Sequence, residues 1–81
     1  MKRFYVAWSS WFDTHEYNNE KIAEAVKESG GVRVMSAHAF GWSNQPKVVT
    51  FSANNDDLSA IKEAVGEATN TVWIIIQEKN W

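Results

Sequence analysis

Eighty-one residues make one domain and are too few for two; a chain of this length buries only about 60–65 % of its unfolded surface, leaving little for a deep catalytic cavity. Apolar residues at 44 %, charged residues at 22 % and a single proline describe a globular chain and exclude a disordered one. Ten acidic against eight basic residues give a net charge of −2, the wrong sign for an electrostatic nucleic-acid binder, and the absence of cysteine excludes disulfides, thiolate metal sites and a cysteine nucleophile.

Lys2 to Trp8 alternates side chains and is rich in aromatic and β-branched types, which predicts a strand. Its start is basic, but the apolar run meets Ser9 too soon for a signal-peptide core. Ser9 to Asn19 has aromatic interruptions (Trp11, Phe12, Tyr17) and no period, which predicts a loop with at most a turn of helix. From Glu20 the pattern changes: Ile22, Ala25, Val26 and Ser29 fall at helical spacing, with Glu20, Lys21, Glu24, Lys27 and Glu28 on the other side. Asn18 or Asn19 is placed to cap this helix, and Gly30-Gly31 to stop it in the left-handed region.

Val32 to Phe40 alternates again, with Val32, Val34, Ser36, His38 and Phe40 on one face and Arg33, Met35, Ala37 and Ala39 on the other. Gly41 to Pro46 is a loop signal, and Lys47 to Ala53 a third strand. Asn54-Asn55-Asp56-Asp57 opens a second helix with its acids against the N-terminal partial charge; Leu58, Ile61, Val65 and Ala68 form its buried stripe. Gly66 lies off that stripe and costs about 1 kcal/mol relative to alanine. Thr71 to Glu78 is the last strand, expected to be buried on both faces. Its apolar run, Val72 to Ile76, is far shorter than the roughly 20 residues of a membrane helix, so a cytoplasmic protein is the expectation, in the host cytoplasm if viral.

The order β-α-β-β-α-β, with two right-handed crossovers flanking a hairpin, predicts an α+β, ferredoxin-like single domain over residues 1–81. It has four antiparallel strands and both helices on one face. The opposite face lacks cover, and its aromatic and apolar residues point to binding or to packing on another subunit.

Catalytic signals are thin. Asp13-Thr14-His15-Glu16 gathers three potential ligands without a second cluster, and His38 lies mid-strand with no orienting partner; a solvated loop and a packed histidine explain them more economically. Ser9 and Ser10 lack a nucleophile-elbow setting, and Gly30-Gly31 lacks the rest of a phosphate loop. Asp56-Asp57 is better placed for helix capping than for a divalent ion. The outlier is tryptophan, five in 81 residues. Trp8 and Trp73 fall on strands, Trp11 and Trp42 in loops, and Trp81 is the final residue; loop tryptophans with polar neighbours either plug the core or serve as binding anchors.

Leu58-Ser59-Ala60-Ile61-Lys62-Glu63-Ala64-Val65 followed by Val72-Trp73-Ile74-Ile75-Ile76 resembles the closing helix–strand unit of small ferredoxin-like families that include the CRISPR spacer-integration nuclease subunit and its toxin-like relatives. The likeness covers most of the chain as topology. Those families present a metal-binding aspartate on a first strand of the type apolar-x-Tyr-Asp; the corresponding place here reads Val6-Ala7-Trp8-Ser9, and Asp13 comes later. The resemblance therefore implies the fold and dimerisation, with a metal-dependent nuclease using Asp13, His15 and His38 as the alternative function. RNA-recognition motifs share the element order, and Phe4-Tyr5-Val6 is similar to their first-strand motif, but Pro46-Lys47-Val48-Val49-Thr50-Phe51 lacks their basic-glycine-aromatic pattern.

The leading expectation is a non-enzymatic protein-binding module without cofactor or metal, of the kind seen in small inhibitors encoded by phages and mobile elements, anti-CRISPR proteins among them. Trp11, Phe12, Trp42 and Trp81 are the expected contacts, with Asn44 in a polar rim. Asp13, Glu16, Asp56 and Asp57 are expected to face a basic, nucleic-acid-binding surface of a protein partner. A homodimer is the other partner to consider.

Overall fold

Alternation of apolar residues with period two carries the sheet, and a stripe at helical spacing lays each helix on it. The computed structural model describes residues 1–8, 15–38, 47–70 and 74–80, with Ala7, Trp8, residues 15–18, Ala37, His38 and Lys47 as backbone alone. Strands β1 (Lys2–Trp8), β2 (Val32–His38), β3 (Lys47–Ala53) and β4 (Ile74–Glu78) pair antiparallel in the order β2-β3-β1-β4. Helix α1 (His15–Glu28) joins β1 to β2, and α2 (Leu58–Thr69), entered through a 3-10 turn at Asn55–Asp57, joins β3 to β4. This is the ferredoxin-like arrangement that the element order predicts.

Phe4 and Val6 of β1 and Val49, Phe51 and Ala53 of β3 share one face and are buried beneath Ile22, Ala25 and Val26 of α1 and Ile61 and Val65 of α2. Phe4 lies directly across from Phe51, with ring centroids 5.9 Å apart and planes tilted by 31°. Such a pair contributes about 0.5–1.5 kcal/mol beyond its buried area. Both helices therefore cover the same side, and among the described residues no helix lies on the other side of the sheet.

The glycine pair ends α1 as predicted, and the two residues act differently. Gly30 takes φ +110°, and Gly31 donates its N–H to Val26 O at 2.9 Å, closing a Schellman-type turn. A Cβ on Gly31 would lie 2.2 Å from Val26 Cγ1, so the helix end and the start of β2 touch with no room for a side chain.

Several expectations are corrected. Helix α1 begins at His15, not Glu20, so Asn18 and Asn19 lie inside it rather than at its N-cap, and Asn19 is buried. Strand β2 is not evenly alternating. Val32 pairs with Ser52 and Met35 with Thr50, so an extra residue bulges between them, with Arg33 at φ +53°. The bulge puts Val32 and Met35 on the same face, while Val34 packs against the core. Strand β4 is an edge with one exposed side: Ile74 is buried, but Ile75 is 42 % exposed. On α2, Ala68 is exposed and Ala64 packs inward instead. Neither Asn54 nor Asp57 makes a side-chain capping bond; the Asp57 N–H bonds Asn54 O at 3.0 Å, and the 3-10 turn does the capping with backbone.

Candidate functional site on the helix-free sheet face

Trp11, Phe12, Asp13, Trp42, Asn44 and Trp81 lie outside the described residues, as do Trp73 and the side chains of Trp8, His15, Glu16 and His38. The strand ends Trp8, His38, Lys47 and Ile74 all stand at one end of the sheet, and the chain between them carries Trp11, Trp42 and Trp73. Asp56 and Asp57 belong to the other end. The Asp57 carboxyl approaches Gly30 at the close of α1, whereas Glu16 sits in the first turn of that helix, about 18 Å of helix away. Among the described residues no three His, Asp or Glu gather to hold a metal ion.

The helix-free face is organised by register. One row runs Val32, Ser52, Arg3, and the ladder continues through the Lys79 N–H bond to Arg3 O at 2.9 Å. The next runs Met35, Thr50, Tyr5, Gln77. Beyond it, Ala37 pairs with Val48 and Ala7 with Ile75. Val32 and Met35, exposed by 43 % and 54 %, border this face along β2, and Ile75 borders it along β4.

Arg3 is the centre of this lattice. Its Nη1 donates to Arg33 O at 2.9 Å and to Ser52 Oγ at 3.0 Å, and its Nη2 donates to Thr50 Oγ1 at 2.7 Å. Thr50, fully buried, donates onward to Met35 O at 3.3 Å, and Tyr5 OH donates to Gln77 Oε1 at 2.5 Å. The hydroxyls of β3 and the carbonyl freed by the β2 bulge thus hold the guanidinium flat on the sheet. Partial burial pulls the Arg3 pKa below its usual value, and the nearby charge of Arg33 pulls in the same direction.

Acidic side chains are unevenly placed among the described residues. No Asp or Glu occupies the helix-free face among the described strand residues; Glu78 falls on the helix side, 3.8 Å from Lys2. Between the helices, Lys21, Glu24, Glu28 and Glu67 line a shallow groove of about 390 Å³ floored by alanines. Carboxylates among the described residues thus lie off the helix-free face, on the helices and the helix side of the sheet, where they are interspersed with Lys2, Lys21, Lys27 and Lys62.

Sequence reasoning passed over Arg3, although the signal was partly there. Period two puts Arg3 with Tyr5, and Thr50 with Ser52, but the register that joins those pairs is not written in either strand alone.

Compared with known proteins, the chain matches no family model, no curated protein and no solved structure.

Proposed function

We propose that the chain is a small protein-binding module that works by covering part of a partner protein's surface. The observation that carries this reading is the helix-free face: a hydrogen-bonded four-stranded platform with Val32, Met35 and Ile75 left exposed on it. Exposed apolar side chains that flank a polar, preorganised centre are what an interface needs, because little entropy remains to be lost when a partner docks. The surplus of tryptophan and the small size agree with an inhibitor carried by a phage or mobile element, which blocks a host protein by occupying its surface.

The test is capture on immobilised protein from a bacterial lysate, using the wild-type chain beside Met35→Glu and Ile75→Glu. Both substitutions lie on exposed strand positions and are expected to leave the thermal transition within a few degrees of wild type. A captured protein that is retained by wild type and lost by both variants is the expected result. Identical capture by all three chains would refute binding through this face.

A further inference from the structure

The Arg3 guanidinium has five N–H groups and spends three of them on Arg33 O, Ser52 Oγ and Thr50 Oγ1. The two that remain, on Nε and Nη2, have no acceptor among the described residues. No carboxylate of the face neutralises this charge among the described strand residues, and the charge of Arg33 is close by. A guanidinium held in place beside a second cation gains from an opposite charge. It is also a ready receptor for an anion, because guanidinium geometry matches that of a carboxylate and the orientation is already set. Resting on the protein-binding reading above, we propose that Arg3 is the docking anchor for an Asp or Glu side chain of the partner, whose neighbouring apolar residues lie against Met35 and Val32.

A second copy of this chain does not fit the face. Two such faces brought together about a two-fold axis would set Arg3 and Arg33 near the same cations of the other copy, with no carboxylate between them among the described strand residues. Nucleic acid fits poorly as well: the β3 positions on this face are Val48, Thr50 and Ser52, none of which stacks on a base, and the chain as a whole is acidic. An acidic segment flanked by apolar residues satisfies both the cations and the exposed side chains.

The experiment selects random dodecapeptides displayed on phage against the wild-type chain, then measures the recovered peptides as fluorescein conjugates. The expected outcome is enrichment of an Asp or Glu next to apolar residues. Replacing that acid with its amide in the peptide should weaken binding about tenfold or more, a change that leaves the protein untouched. Arg3→Gln should bind acid and amide peptides alike, and Arg3→Lys should keep only part of the preference. Peptides without acid enrichment whose binding is lost in Met35→Glu would overturn the anchor while preserving the protein-binding reading. Recovery of no peptide that Met35→Glu weakens would refute both. Concentration-dependent dimerisation abolished by Met35→Glu, or binding of single-stranded RNA homopolymers abolished by Arg3→Gln, would also overturn the proposal, in favour of a second copy or of nucleic acid.

Discussion

Replacing Gly31 by alanine tests how the end of α1 is fitted to the sheet. The new Cβ would stand 2.2 Å from Val26 Cγ1, 3.0 Å from Val26 O and 3.4 Å from Phe51 Cδ2. Val26 is fully buried and, being β-branched in a helix, has one strongly preferred rotamer, so it has no empty space to turn into. Forcing it off that rotamer costs about 0.5–1.5 kcal/mol, and overpacking the surrounding core about 1–3 kcal/mol. The alternative is to retract Gly31 and give up its 2.9 Å bond to Val26 O, worth about 1 kcal/mol. Either route predicts a loss of about 2–4 kcal/mol, against a total stability of about 4–12 kcal/mol for a chain of this length. Thermal unfolding followed by far-ultraviolet circular dichroism should show a Tm lower by about 10–30 °C. A second variant isolates the contact. Val26→Ala removes the struck methyl, so Val26→Ala/Gly31→Ala should be more stable than the sum of the single losses by about 1 kcal/mol or more. A Gly31→Ala loss under about 0.5 kcal/mol, or strict additivity in the double variant, would refute the close approach.

Other perturbations separate the remaining contributions. Gly30→Ala, which must hold φ +110° with a side chain, should lose about 1–2 kcal/mol in urea unfolding with the m-value unchanged. Phe51→Ala removes the largest fully buried side chain among the described residues and its ring contact with Phe4; a loss of about 3–5 kcal/mol is expected, shown by a broad or absent near-ultraviolet signal at 37 °C. Glu78→Gln breaks an ion pair whose side chains are both about half exposed, so its Tm should stay within about 3 °C of wild type at low and high salt alike.

Much of the architecture was legible because most strands and helices carry a clean period. Strands β1 and β3 fall on the predicted bounds since Phe4, Val6, Val49 and Phe51 sit at every second position with polar or small neighbours between them. Helix α1 was read short because His15 to Asn19 offers no apolar spacing; what makes Asn19 an interior residue is its surroundings in the fold. The β2 bulge was hidden because Arg33, a residue with no special tolerance for positive φ, occupies the left-handed position that sequence reasoning assigns to glycine or asparagine. That one residue moves Val32 from the predicted face of Val34 and Ser36 to the face of Met35 and Ala37, while the later positions keep their predicted alternation. Arg3 was invisible as a site for a related reason: its acceptors lie 30, 47 and 49 positions away, and only pairing brings them together.

The same bulge changes how the molecule behaves toward its own kind at high concentration. Strand β2 lies at a rim of the sheet, where unpaired backbone groups invite another chain to add on. The kink at Arg33 breaks that template after a few residues, so fibril growth from this rim is stunted. The opposite rim, β4, has no such interruption through Ile74, Ile75 and Ile76, which form an uncharged, β-branched run without proline. Seeding by partly unfolded chains should therefore begin there, and a lysine in place of Ile75 should delay it.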